Sequence, residues 1–257
     1  MNYKEKITAL LTIIRKEIKR FIRIWLQTLL PPVVTQTLYF IIFGKFIGTR
    51  IGNIQGISYM AFIVPGLVMM SVINSSYMNV VSSFFGSKFH RNVEELMVSP
   101  TPNWVIIAGY VIGGAIRGIL VGLIVFSISI FFTRPVIYNF WIVSIFIILT
   151  AIVFALSGFT NAIFAKKFDD ISIFPTFIIT PLIYLGGIFY SIQNLPKFWQ
   201  SVSKLNPILY MINGFRFGFH GFSDVNVITS IIILITFTVT LVSINLFLLK
   251  KGTGLKS

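Results

Sequence analysis

No cysteine occurs among the 257 residues, which excludes disulfides, iron–sulfur centres and thiolate zinc sites. Histidine is nearly as scarce: His90 and His220 alone do not furnish a multi-histidine metal site within one chain. Acids number seven, Glu5, Glu17, Glu94, Glu95, Asp169, Asp170 and Asp224, and all fall outside the long apolar runs. A carrier driven by protons or sodium usually buries a carboxylate on its ion path, so secondary transport is disfavoured. The same shortage, without a nucleophile–base set, argues against a membrane hydrolase. No G-x-x-x-x-G-K-[ST] segment is present, so the chain has no P-loop with which to bind ATP.

What is present is apolar. Charged residues make up 11% of the chain, where globular domains carry about 25%. Hydrophobic residues make up 56%, phenylalanine alone counts 27, and the mean hydropathy is +0.89. A surface so poor in charge belongs in a bilayer, and the length suffices for several spans of about 20 residues. The net charge of +14 therefore does not indicate a nucleic-acid partner.

Residues 3–23 place Ile7, Leu10, Leu11, Ile14, Ile18, Phe21 and Ile22 at helical spacing, with seven Lys and Arg filling the other faces. This pattern predicts an amphipathic helix lying along an anionic leaflet. Charges from Arg15 to Arg20 interrupt the region where a signal peptide has its apolar core, so none is expected. The fold class is all-α and integral to the membrane, with a transmembrane domain over 24–249 and a cytoplasmic tail at 250–257. Six spans are predicted, at about 24–46, 57–83, 104–132, 140–164, 172–191 and 225–249. Pro31-Pro32 should kink the first, and Pro175 with Pro181 mark a hinge in the fifth. The stretch 192–223 is too polar for a span and too apolar for a loop, which predicts short re-entrant helices.

Orientation follows from the basic residues. With a cytoplasmic N-terminus, 14 of the 21 Lys and Arg lie inside, 6 lie outside, and Arg117 falls within the third span. The asymmetry predicts both termini in the cytoplasm. Trp25, Trp104 and Trp141 stand at span ends, as interfacial anchors do.

Three segments carry the functional expectations. In the first cytoplasmic loop, Asn92 followed by Glu95 reads as a capping box that starts a short helix before Pro100. With Arg91, Glu94 and Glu95 it is either a solvated turn-helix or an element that transmits a push from a docked partner. The third span carries G-x-x-x-G spacings at Gly109, Gly113, Gly114, Gly118 and Gly122, for close helix packing within the chain or at a dimer seam. Arg117 lies in that stripe and must be hydrated, pair with carbonyls, meet lipid phosphate or face an aqueous path. The polar residues of the second span, Asn74, Ser75, Tyr77 and Asn79, join Arg117 as candidate path lining.

The order of these elements, and GGIFYSIQNLPKFWQSVSKLNPILYMINGFRFGFHG from Gly186 to Gly221, resemble the membrane subunit of ABC-2-type ATP-binding-cassette transporters. The family signature matches at Gly187, Phe189, Leu195-Pro196, Asn206-Pro207 and Arg216; Arg91, Glu94, Glu95, Leu96 and Pro100 match its coupling helix. One departure is Tyr190-Ser191, where many members have an aromatic–proline pair. The likeness covers nearly the whole chain and is greatest to enterobacterial inner-membrane permeases. It implies a bacterial inner-membrane protein whose two copies, as a homodimer, form an export path. Two separate P-loop ATPase subunits would drive it from the cytoplasm, and this chain would bind no cofactor of its own. An ion-coupled carrier and a non-transporting scaffold are the alternatives.

Overall fold

The computed structural model describes residues 1–252 and Gly254; Lys256 and half of the 250–257 tail lie outside the described residues. The first helix, α1 (Tyr3–Arg23), opens on the capping box that the sequence reading placed elsewhere. The Asn2 side chain accepts from the first turn, and the Asn2 N–H donates to Glu5 Oε2 at 2.7 Å. One stripe of α1 packs on the bundle, where Ile13, Glu17 and Phe21 are buried, while Ile7, Leu11 and Ile22 stay exposed.

Five helices are long and apolar enough to cross a membrane: α2 (Trp25–Ile51), α3 (Tyr59–Phe89), α5 (Asn103–Ser129), α6 (Phe140–Phe164) and α10 (Val227–Lys251). Between α3 and α5 lies the short α4 (Asn92–Val98). The predicted fifth span is the shorter α7 (Asp170–Tyr184), which stops at Leu185 before Gly187 turns the chain with φ +76°. Then come a tight turn at Ile192–Asn194, α8 (Lys197–Lys204) and α9 (Pro207–His220). A hairpin, β1 (Asn53–Ile54) with β2 (Ile57–Ser58), joins α2 to α3; Gln55 and Gly56 both take positive φ at its turn, as a two-residue hairpin requires.

Proline shapes two of the helices, α2 and α7. In α2 the helix breaks at Leu29, restarts with Pro31 and Pro32 in its first turn, and widens to a π-helical segment at Phe40–Ile47. In α7 a π-helical segment begins at Pro175, and Pro181 opens the α-helical turns after it. Each proline sits in the first turn of its segment, the part of a helix that tolerates a missing N–H best.

The centre of the bundle is α3. Of its most apolar stretch 83% is buried, against 17% for α2 and 11% for α10, which lie at the periphery. Apolar burial alone does not select partners in lipid; close approach does. The glycine stripe of α5 supplies it in two registers. A Cβ at Gly109 would stand 2.6 Å from Ile13, and one at Gly113 2.5 Å from Glu17, so these two glycines seat α1. Gly114, Gly118 and Gly122 seat α3 through Val80, Ser76 and Val72. The stripe therefore packs helices within the chain.

The two ends of the bundle are distinct. At one end α1, α4 and the 165–169 loop gather; Lys88 at the end of α3 donates to the Ile163 and Ala165 carbonyls at 2.7 Å each. At the other end the hairpin, the 130–139 loop and the α8–α9 segment meet: Tyr138 and Asn139 donate backbone N–H to Phe219 and Gly218, at 3.1 and 2.8 Å.

Candidate coupling and translocation site

The short helix α4 is held by one buried side chain, Val93, while Arg91, Glu94, Glu95, Val98 and Pro100 are exposed. Its start differs from the expected capping box. Arg91 caps it in the left-handed conformation, φ 61°, with no side-chain hydrogen bond, and Asn92 is already helical. The tight turn after Phe89 forces this, because α3 runs on to Phe89 rather than ending near residue 83. Leu96 is half-buried and turns toward α1. Together they border a groove of about 490 Å³ lined by Lys4, Thr8, Thr12, Ile13, Leu96 and Thr101.

Behind α4, the 165–170 loop is folded around Asp170. Its Oδ2 accepts the backbone N–H groups of Lys166 at 2.8 Å and Lys167 at 3.0 Å. These two N–H groups hold the exposed carboxyl below the usual carboxylate range. Phe168 from the same loop packs on Phe89, ring centroids 4.9 Å apart, and leaves an aromatic face exposed beside α4.

The candidate path residues separate in space. Asn74 is half-buried, its amide donating to the Met70 carbonyl at 3.0 Å. With Met78, Ser82 and Gly86 it forms the one partly open stripe of α3, at helical spacing. Ser75 is buried. Tyr77 points to the α6–α7 side, where Asn161 donates to its hydroxyl at 2.6 Å and Phe174 stacks on its ring. Asn79 points to α1. Arg117 is buried at the break in α2 and donates from Nη2 to the Thr28 carbonyl at 3.2 Å. Of the options open from sequence, Arg117 takes the pairing with a carbonyl.

Glu17 corrects the expectation that no carboxylate is buried among the helices. It is fully buried, accepting from Ser83 Oγ at 2.6 Å and from Asn79 Nδ2 at 3.4 Å. Arg20 lies 3.5 Å away and also donates to the Asn79 carbonyl and side-chain oxygen, at 2.8 and 2.9 Å. A signal existed in the sequence: Glu17 follows Ile13 and precedes Phe21 by four residues, on the apolar stripe of α1.

The signature residues come together at the opposite end. Asn206 caps α9 through the Ile208 N–H at 3.0 Å, and its amide donates to the Leu182 carbonyl, freed where α7 stops, at 2.6 Å. Pro207 follows at the first helical position. Pro196 caps α8, and the Leu195 carbonyl accepts from Gln200 at 2.8 Å. Arg216, counted from sequence among the outside cations, is buried: it donates to the Gly187 carbonyl at 2.6 Å and lies 3.9 Å over the Phe62 ring.

Sequence reasoning missed the hub of this end, Asp224. Its carboxylate accepts from Ser191 Oγ at 2.7 Å, the Ile192 N–H at 3.0 Å and Gln55 Nε2 at 3.3 Å. Ser191, the departure from the family pattern, is thus a hydroxyl donor where proline has none. Beside it an aromatic seam joins α2 to the chain after α7. The Tyr39 and Tyr184 hydroxyls are 2.9 Å apart, and Phe43 packs on Phe189 with centroids 4.4 Å apart. Among the described residues no three His, Cys, Asp or Glu group as a metal site.

Comparison with known proteins gives the family. Residues 8–220 match the family described as ABC-2 type transporter. The chain is 57% identical over 249 residues to the inner membrane transport permease YadH of Escherichia coli K12, covering 97% of each chain. It is 25% identical over 194 residues to nodulation protein J of Neorhizobium galegae, covering 74% of this chain and 72% of that one. Nodulation protein J of Rhizobium meliloti is 22% identical over 199 residues, 76% of this chain and 74% of that one. The chain is thus an all-helical membrane protein that belongs to the ABC-2 type transporter family, a family of transport permeases.

Proposed function

We propose that this chain is the permease subunit of an ATP-binding-cassette exporter in a bacterial inner membrane, powered by two copies of a separate P-loop ATPase. In this reading α7 and the segment up to Gly187 complete a sixth span, α1 lies at the inner interface, and both termini are cytoplasmic. The chain binds no cofactor; ATP stays on the partner. Two copies form the path, with the open Asn74–Met78–Ser82 stripe of α3 facing it between the peripheral α2 and α7.

The carrying observation is α4. It is a rigid turn fixed by Val93, presents Glu94, Glu95 and Val98 outward, and borders the groove shared with α1. It follows α3, the most buried helix, and Lys88 ties the end of α3 to the last carbonyls of α6. A push on α4 thereby reaches the two helices at the centre of the bundle. Arg91, Glu94, Glu95, Leu96 and Pro100 are the coupling residues, and the groove beside them is part of the surface on which the ATPase docks.

The test is co-purification with a P-loop ATPase from the native membrane in mild detergent. Reversing Glu94 and Glu95 to lysine should lose the ATPase while the permease stays folded; unchanged recovery sinks the coupling role. An ion-coupled carrier draws its one support from buried Glu17. It predicts transport abolished by a protonophore at constant ATP, whereas the exporter reading predicts transport that follows ATP.

A further inference from the structure

On the α4 side of the bundle, α5, α6 and α10 enclose a groove of about 310 Å³. Trp104, Ala108 and Ile112 form one wall, Ile152 the floor, and Val242 and Leu246 the other wall. It exists because α10 packs more closely on α6 than on α5 and is hydrogen-bonded to α6. Asn245 donates to the Leu156 carbonyl at 3.1 Å and accepts from Thr160 at 2.9 Å, while the small Ala108 leaves the facing side of α5 recessed. Trp104 and Ile112 are exposed at the rim, so the mouth opens to the outside of the bundle.

The size and lining decide what fits. A helix with its side chains is about 10–12 Å across and cannot enter a groove of this volume, whereas a methylene chain can. The lining offers no polar partner except the Trp104 indole N–H, so the inserted part must be hydrocarbon. Charge marks the end. Lys250 follows Leu246 by four residues, on the same face of α10 and one turn nearer the membrane surface. It is exposed and forms no ion pair among the described residues, while Lys251 lies over the Phe247 ring at 5.8 Å.

We propose that this groove is a phospholipid site: one acyl chain of an anionic lipid lies between α5 and α10, with its phosphate over Lys250. The lipid fills the gap that protein packing leaves beside the last span and joins α10 to α5.

The test uses the full chain in mild detergent, titrated with phosphatidylglycerol or phosphatidylcholine and read by native mass spectrometry. The unaltered chain should retain one phosphatidylglycerol, and bind it about fivefold better than phosphatidylcholine, the effect of one lysine near a charged headgroup. Lys250→Gln should remove that preference. Ala108→Phe should remove the retained lipid, and Leu123→Phe, on an exposed part of α5 outside the groove, should not. Full retention by Ala108→Phe, or equal binding of the two lipids by the unaltered chain, overturns the proposal. Phosphatidylglycerol carrying a mid-chain diazirine gives a second reading without any substitution. Labels on Ile152, Val242 or Leu246 support the site, and labels confined to faces such as Leu123 and Ile235 overturn it.

Discussion

The Arg117 guanidinium replaces a backbone donor that Pro32 lacks: it bonds the Thr28 carbonyl, four residues before that proline, at 3.2 Å. The arrangement recurs at Pro65. The Ala61 carbonyl, four residues before it, meets His220 Nε2 at 3.0 Å, which requires the tautomer with the proton on Nε2. Water does not reach a carbonyl inside the bilayer, and at these two prolines a side chain from another helix takes the place of the missing N–H. The two polar residues are therefore held beside prolines, each on the carbonyl that the proline leaves free.

This account predicts a compensating pair. Arg117→Met should cost about 1–3 kcal/mol through the orphaned carbonyl, read as a lower unfolding midpoint in detergent. Pro32→Ala returns an N–H to the Thr28 carbonyl, so the double variant should recover much of that loss. Equal losses from Arg117→Met with and without the Pro32→Ala substitution would show that the hydrogen bond is not what matters.

Glu17 and Gly113 make a second pair. Gly113→Val drives a side chain into Glu17 and should cost about 1–3 kcal/mol. It should also lift α1 away from α5, widening a spin-label distance between residues 9 and 108. Gly86→Ala, with open space around the Cβ position, serves as the control and should leave that distance unchanged.

Ser191→Pro restores the family's aromatic–proline pair while removing the Ser191 donor to Asp224. The expected cost is about 1 kcal/mol, a typical net hydrogen bond, with faster amide exchange at Ile192 and Gln193. If the variant is as stable as the parent and exchange is unchanged, Asp224 does not depend on the hydroxyl.

The 165–170 loop should respond to acid. The Asp170 carboxyl titrates below an ordinary aspartate because the Lys166 and Lys167 N–H groups bond its charged form. Its folded pKa is thus depressed, so its contribution is present above the unfolded pKa and is lost as pH falls through the folded one. Carbon-13 labelling should show a midpoint lower than in the unfolded chain, and Asp170→Asn should abolish that acid-dependent loosening of the loop. A midpoint at or above the unfolded value contradicts the two N–H bonds.

Much of the architecture was legible because it rests on local rules. Runs of apolar residues marked α2, α3, α5, α6 and α10, and Phe140–Phe164 matched its predicted bounds. Asn206-Pro207 stood out in the sequence only as part of the family signature, and its capping role came from the structure. The span at 172–191 was less legible: its hydropathy continues past Tyr184, but Gly186-Gly187 end the helix and turn it toward Arg216. The Asn92–Glu95 spacing resembled a cap because the pattern is short, and the real box sat at Asn2–Glu5.

The sequence by itself determined that this chain lies in a membrane, where most of its long helices fall, and that no G-x-x-x-x-G-K-[ST] segment occurs in it. Those properties are sums over neighbouring residues, and hydropathy and spacing carry them. Only the tertiary structure decided which polar groups meet. Glu17 with Ser83, Arg117 with Thr28 and Asp224 with Ser191 are separated by tens of residues along the chain. Each pairing exists because a buried polar group in lipid must find a partner, and the fold alone determines which one is within reach.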